Sequence, residues 1–303
     1  MSLGRFFTLN TGAKIPTIGF GTWQSKPDEV YNAVKVAIAT GYRHIDAAYA
    51  YGNEKEVGAA IRDSGIPREK LFITTKLWVT YARPELVPAA LDESLTNLGL
   101  DYVDLYLMHW PMALAPGQGL LIPRHPDGSR FHDTEVGGDF TKTYRAMEKL
   151  VETGKTRAIG VANFSTFNID KLLKNSSIVP AVNQVELHPY LPQWKLLEHC
   201  ASKGIHVTAY SPLGSTGSPL QSEPVIAEIA QRHGKTFAQV LISWAAQRGT
   251  SVIPKSVTAH RIESNFQDFI LPEADFNAIN EVSKQHKSQR FIEPDWGVEV
   301  FDK

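Results

Sequence analysis

Apolar positions along the chain fall into two alternating patterns. The first is short runs rich in Val, Ile, Tyr, Phe and Thr, most of them bounded by Gly, Pro or Asn. Such runs read as strands. They are TIGFGTW (17–23), YRHIDAA (42–48), LFITTKL (71–77), YVDLYLMHW (102–110), TRAIGVANF (156–164), AVNQVEL (181–187), HVTAYSPL (206–213) and SVIPKS (251–256). The second is a helical recurrence between those runs, with legible ends. KPDEVYNAVKVAIATG starts acidic and stops at Gly41. RPELVPAALDESLTNLG has Pro84 near its start and Gly99 beyond its end. SEPVIAEIAQRHG offers Ser222 as N-cap, Pro224 in the first turn and Gly234 past the last. TFAQVLISWAAQRG sets Phe237, Val240, Leu241 and Trp244 on one face.

Eight strands alternating with helices over about 250 residues predict an α/β architecture, a (β/α)8 or TIM barrel. No linker or composition break splits the chain, so 1–303 is expected to be one domain. A doubly wound open sheet is the competing arrangement. One connection is long, from Trp110 to about Asp139, and rich in Pro and Gly. Loops of that length tend to carry function or disorder.

Side chains alternate across a strand, and counting by twos collects a polar residue at the end of most series. The series are Tyr42, His44, Asp46; Phe72, Thr74, Lys76; and Leu105, Leu107, His109. Then follow Ile159, Val161, Asn163; Val182, Gln184; His206, Thr208, Tyr210; and Ser251, Ile253, Lys255. The C-terminal ends of barrel strands are where such enzymes build active sites.

Composition narrows the reading. With 31 basic and 32 acidic side chains, bulk charge points to neither a nucleic-acid nor a membrane partner. The lone cysteine, Cys200, forbids an intrachain disulfide, and the N-terminus has no continuous apolar stretch of a secretory signal. A soluble cytoplasmic protein is expected. No P-loop, G-x-S-x-G or H-E-x-x-H occurs, so no metal site is expected. GFGTWQ has Gln24 where a Rossmann fingerprint wants its third glycine.

Asp46, Tyr51, Lys76 and His109 therefore need a joint explanation. Singly, they read as a turn cap, a packed aromatic, a snorkelling amine and a core histidine. Together at one end of successive strands they read as a site.

The chain resembles the aldo-keto reductase family through an ordered set of motifs. These are GYRHIDAAYAYGNEKEVGAAI, ITTKLW, LDYVDLYLMHWP, IGVANFS, NQVELHPY, AYSPLG and VIPKSVTAHRIESNF. The resemblance implies a (β/α)8 barrel with an N-terminal β-hairpin and a long loop after the strand ending at His109. It implies an enzyme that binds NADPH or NADP+ without a Rossmann fold and reduces aldehydes and ketones, reversibly toward alcohol or polyol oxidation. The family's catalytic tetrad falls on Asp46, Tyr51, Lys76 and His109. Tyr51 would be the general acid, with its high phenol pKa lowered by the Lys76 ammonium. Asp46 would hold Lys76 charged, and His109 would orient the carbonyl.

The cofactor contacts implied are Thr22, Trp23 and Asp46 near the nicotinamide, with Asn163 and Gln184 on its carboxamide and Tyr210 stacked on its ring. Ser211, Leu213 and Ser215 match the pyrophosphate segment. Lys255, Ser256 and Arg261 match a pocket for the 2′-phosphate, and Asn265 an adenine contact. Trp23, Trp78, Trp110 and Trp296, with Tyr51 and His109, match the substrate pocket, and the 110–139 loop and the C-terminal segment 290–303 would shape its outer part. Two positions depart from the pattern: Ala162 stands where a serine is common, and Ser264 where an acidic residue is. IPKSV looks closer to the aldehyde-reductase and glycerol-dehydrogenase type than to the xylose-reductase type, where an asparagine follows the serine. The expected state is a monomer acting on a small carbonyl or alcohol. The alternatives are an NADPH-binding regulatory subunit of the same fold and a barrel isomerase or lyase using Lys76 as a Schiff base.

Overall fold

The computed structural model describes residues 2–117, 119–136, 139–215, 217–285 and 287–301. The N-terminal hairpin pairs β1 (Phe6–Thr8) with β2 (Lys14–Pro16), antiparallel. Eight parallel strands follow: β3 (Phe20–Gly21), β4 (His44–Asp46), β5 (Phe72–Leu77), β6 (Leu105–Met108), β7 (Ile159–Ala162), β8 (Val182–Glu186), β9 (His206–Tyr210) and β10 (Ser251–Val252). Each pairs with the next, and the sheet closes on itself. Val252 N donates to Thr17 O at 2.8 Å, Gly19 N to Val252 O at 2.8 Å and Gly21 N to Pro254 O at 3.0 Å. Closure removes both exposed edges. The fold is the expected (β/α)8 barrel, and the strands are shorter than the apolar runs that announced them.

Helices clothe the barrel between strands. They are α1 (Pro27–Thr40), α2 (Glu54–Asp63), α3 (Val87–Leu98), α4 (Phe140–Glu152), α5 (Thr166–Leu173) and α6 (Trp194–Ser202). After β9 come α7 (Pro224–His233) and α8 (Phe237–Gln247), and after β10 come α9 (Ala259–Asn265) and α10 (Glu273–Gln285). Thr236 and Gln239 form a reciprocal capping box at the head of α8. Two expected starts move. The segment with Pro84 becomes helical only at Val87, with Pro88 in the first turn. Glu223, not Ser222, caps α7, because Pro224 occupies the first helical position; Ser222 instead ends a 3-10 turn over Pro219–Ser222. Among the described residues no helix is long and apolar enough to cross a membrane.

The core has two shells, set by strand alternation. Ile45, Ile73, Tyr106, Val161 and Val185 face the helices. Phe72, Leu105, Leu107, Ala158, Ala181 and Val182 fill the lower barrel and pack against Leu9 and Ile15 of the hairpin, which plugs the bottom. Here the counting by twos fails on β7. Ile159 and Val161 lie in the outer shell, whereas Ala158 and Gly160 face inward. A Cβ on Gly160 would lie 2.5 Å from Val182 O and 2.9 Å from a Leu107 methyl, so the packed interior excludes any larger residue there. Tyr42 also faces out, its hydroxyl donating to Ile262 O at 3.1 Å.

The long connection after β6 is built over the barrel mouth. Isolated antiparallel bridges join Leu114 to His132 and Arg124 to Arg130, and Arg83 Nε donates to Asp133 Oδ2 at 2.6 Å. Residues 118, 137 and 138 of this loop lie outside the described residues.

Candidate active site

At the C-terminal rim, β4 ends in Asp46 and β5 delivers Lys76 beside it. Lys76 is fully buried, and burial of an unpaired ammonium is costly. The cost is met by three acceptors: Asp46 Oδ1 at 2.5 Å, Ala47 O at 2.8 Å and Tyr51 Oη at 3.3 Å. Three acceptors use all three N–H bonds of an ammonium. The nitrogen has no lone pair free to attack a carbonyl, which argues against the Schiff-base alternative. Gln184 on β8 donates from Nε2 to the other carboxylate oxygen, Asp46 Oδ2, at 2.6 Å.

Tyr51 closes a 3-10 turn, Tyr49–Tyr51, that ends on Gly52 in the left-handed conformation at φ 66°. Glycine permits that reversal, and the phenol is left half-buried at the cavity floor. Because Lys76 donates to Tyr51 Oη, the phenol's own hydrogen must point elsewhere. Burial, then the Asp46 carboxylate, pushes Tyr51 well above the usual phenol range. This corrects the expected lowering: the phenol is held in its proton-bearing form. Burial draws Lys76 below its ordinary range, and Asp46 and then Glu54 oppose that. His109 follows β6, 8% exposed, and burial and then Lys76 push it well below the usual imidazole range. A neutral ring offers one N–H donor. Its Nδ1 has no partner among the described residues. The ring stands edge-on to Tyr51 at 5.8 Å and to Trp78 at 5.2 Å.

These groups open into a cavity of about 430 Å³. One end is aromatic: Trp78, Trp110 and Trp296 pack with ring centres 6.0 Å (Trp78–Trp296) and 5.3 Å (Trp110–Trp296) apart. Trp78 Nε1 donates to Leu121 O at 2.6 Å, bringing Leu121 and Ile122 of the long loop into the wall. The other end is polar, with Thr22, Trp23, Asn163, Gln184 and Tyr210 leading to Ser211, Leu213, Ser215 and Lys255. Of the expected contacts, Ser256, Arg261 and Asn265 lie outside this wall, on the loop and helix that follow it. Arg261 is exposed, Asn265 is buried, and Ser256 Oγ accepts from Thr258 N at 3.1 Å.

Among the described residues four non-glycine residues have positive φ, and three of them, Gln24 (56°), Asn163 (64°) and Ser211 (47°), line this cavity. Such backbone costs about 1–3 kcal/mol per residue and persists only where surroundings enforce it. For Asn163 the enforcement is visible. Its N donates to Gln184 O at 2.9 Å, its Nδ2 to His109 O at 2.9 Å, and its Oδ1 accepts from Tyr210 Oη at 2.8 Å. The left-handed turn is what brings Asn163 inside from a strand whose alternate residues point out. The 110–139 loop and the 290–303 segment do reach the wall, through Leu121 and Ile122 and through Ile292 and Pro294, none of which sequence reasoning singled out, and it missed Gln24 altogether. The apolar pair Leu121–Ile122 inside a Pro- and Gly-rich loop was the available signal.

The polar end fits a nicotinamide nucleotide. Tyr210 presents an aromatic ring, Asn163 and Gln184 carry amides, and the Ser211–Ser215 segment adds hydroxyls and backbone. Burial lowers Lys255 and the Glu29 charge opposes that; among the described residues its ammonium donates to the neutral Gln24 O at 3.3 Å, and a bound anion beside it would be paired with a cation.

A closed parallel barrel with an ion-paired lysine under a cavity tyrosine, and no Gly-rich nucleotide loop, defines a class of barrel oxidoreductases. Residues 17–284 match the aldo/keto reductase family, and the chain belongs to it. It is 52% identical to the glycerol 2-dehydrogenase (NADP(+)) of Saccharomyces cerevisiae, covering 98% of this chain and 97% of that protein. It is 53% identical to the aldehyde reductase YPR1 of the same yeast, covering 95% and 94%. The solved aldose reductase of Schistosoma japonicum superposes with a TM-score of 0.89 at 44% identity, covering 95% of this chain and 94% of that one.

Proposed function

We propose that this protein is an NADPH-dependent carbonyl reductase that takes aldehydes and ketones to alcohols and runs in reverse toward alcohol or polyol oxidation. The observation that carries the reading is the buried Asp46–Lys76 pair, 2.5 Å apart, with its ammonium 3.3 Å from the cavity-facing Tyr51 hydroxyl. Family membership and relatives named for NADP(+) and for aldehyde reduction support it.

The cofactor, when bound, supplies a hydride to the carbonyl carbon. Tyr51 donates its hydroxyl hydrogen to the carbonyl oxygen and gives up that proton as charge builds there. A phenol above its normal range is a reluctant acid alone. The Lys76 ammonium stabilises the phenolate left behind, where a preorganised charge in a water-poor site acts most strongly. Asp46 keeps Lys76 charged through the transfer. Neutral His109 offers its N–H to the carbonyl oxygen and fixes its direction. Asn163 and Gln184 would hold the carboxamide, and Tyr210 would stack on the ring. Thr22 and Trp23 would flank the same region, and Ser211, Leu213 and Ser215 the pyrophosphate. Lys255, Ser256 and Arg261 would take the 2′-phosphate, and Asn265 the adenine. The tryptophan wall of Trp23, Trp78, Trp110 and Trp296 suits apolar and aromatic aldehydes, because it offers few directed hydrogen bonds.

The test is a panel of aldehydes, ketones and polyols assayed with NADPH, NADH and NADP+. Turnover of aldehydes faster with NADPH than with NADH is expected. Tight NADPH binding with no turnover of any carbonyl would overturn the enzyme reading and favour the regulatory-subunit alternative.

A further inference from the structure

Glu186 is the next inward position of β8 after Gln184, and the proposed chemistry does not use it. It is fully buried and is not among the residues lining the cavity. Its carboxylate is nevertheless fully engaged. Oε1 accepts from His188 Nε2 at 2.8 Å and from Phe291 N at 2.7 Å. Oε2 accepts from Ile292 N at 2.8 Å. Two of the three donors are consecutive backbone amides more than 100 positions away, |i−j| 105 and 106, in the C-terminal tail.

Everything around this junction grips the same point. The His188 ring lies 4.9 Å from the Phe291 ring. Gln289 N donates to Tyr190 O at 2.9 Å just upstream, and the Arg290 guanidinium stacks on Phe301 at 3.6 Å. Beyond it the tail runs over the mouth, where Ile292, Pro294 and Trp296 enter the cavity wall. Farther along, Arg130 Nε donates to Asp295 O at 2.9 Å on the exposed side. The root of the tail is thus held by a buried carboxylate; farther along it is held by the exposed Arg130–Asp295 bond and by Asn168 Nδ2 donating to Val300 O at 3.3 Å. Charge-assisted bonds in a dry site are the stronger kind.

We infer that Glu186 is a positioning residue: it captures the Phe291 and Ile292 amides and so fixes where the tail crosses the mouth, which sets how large a carbonyl substrate the cavity accepts. The inference rests on the carbonyl-reductase reading for its substrate part alone. Glu186→Gln is the informative change. It keeps shape and volume, but one acceptor becomes an NH2 group facing an N–H, and one tail amide loses its partner.

The experiment compares wild type and Glu186→Gln with NADPH and two aldehydes, propanal and 2-naphthaldehyde. Glu186→Gln is expected to raise KM for 2-naphthaldehyde about tenfold, the usual scale for one orphaned buried donor. The kcat and KM for propanal, and the Kd for NADPH, should stay within about twofold. In a cycle with Trp296→Ala, the two KM effects on 2-naphthaldehyde should overlap rather than multiply. Hydrogen exchange on the unaltered chain is the arm that needs neither a variant nor turnover. The Phe291 and Ile292 amides should be protected relative to those of 297–301. Free exchange at both, equal KM effects on the two aldehydes, multiplying effects with Trp296→Ala, or NADPH affinity falling in step would each overturn the tether. A wild type that reduces neither aldehyde would instead sink the carbonyl-reductase reading, and the exchange result would still judge the tether.

Discussion

At the scale of single residues, the site separates what a sequence can display from what only packing decides. The four polar groups Asp46, Tyr51, Lys76 and His109 were legible from their positions after strands and from the family motifs. The protonation of Tyr51 was not, because burial, then the Asp46 charge, raises it, and neither the depth of burial nor that approach is written in the sequence. The direction matters for the outcome of substitution. Tyr51→Phe removes only the hydroxyl, so aldehyde reduction should fall by a factor of about 10²–10⁴, the range for a lost general acid. NADPH should still quench tryptophan fluorescence as in the wild type. Substantial residual turnover would remove Tyr51 from the role of proton donor. Glu186 was one step further along a series that already ended, by count, on Gln184. Its partners are backbone amides of the 290–303 segment, and no side-chain pattern distinguishes the Phe291 and Ile292 N–H groups from their neighbours.

Within single elements, local rules held where the backbone is regular and failed where it turns. The apolar face expected of α8 is buried at Val240, Leu241 and Trp244, while Pro224 passed the cap of α7 from Ser222 to Glu223. On β7 the count by twos went wrong because Asn163 enters the barrel through a left-handed residue that no alternation foresees. Inside β4 and β9 sit two histidines with a measurable signature. Burial, then Lys76, pushes His44 down to about 3, and burial, then His44, pushes His206 to about 4. Both are neutral in the fold, while in the unfolded chain they take up protons near pH 6.5. Between those values the unfolded state binds more protons, so stability falls as pH drops from about 6.5 toward 4. Each histidine contributes a slope of up to ~1.4 kcal/mol per pH unit in that window. Urea midpoints measured from pH 7 to pH 4 should fall, and His206→Asn should flatten the dependence. An unchanged slope in that variant would assign the acid sensitivity to other groups. On α9, the exposed Arg261 offers a forked donor just past the cavity wall. Arg261→Ala should weaken NADPH about tenfold or more and NADH within about twofold. Equal losses for both nucleotides in a fluorescence titration would reject a 2′-phosphate role.

For the molecule as a whole, the eight alternating runs pointed to a barrel, because each strand needs a helix to cover its outer face and the count matches closure. They left a doubly wound open sheet standing, and the family motifs decided between the two. What they did not give was the division of labour between its two ends. The bottom is a hydrophobic plug in which Leu9 and Ile15 meet Phe72, Leu105 and Leu107, and the top holds the cavity. Ile15→Ala should therefore cost about 2–5 kcal/mol of stability, read as a lower urea midpoint, and leave kcat and KM unchanged. A change in kcat would mean that the two ends are coupled.

The hydrogen bonds that join Thr17, Gly19 and Gly21 to Val252 and Pro254 have a temporal consequence. The cavity is assembled from both sides of that junction, with Gly21, Thr22 and Gln24 on one side and Ile253, Pro254 and Lys255 on the other. A growing polypeptide leaving the ribosome holds the first half long before the second is made. The first strand of its barrel, β3, must wait, one flank unpaired, until more than two hundred residues later a partner arrives to clasp it.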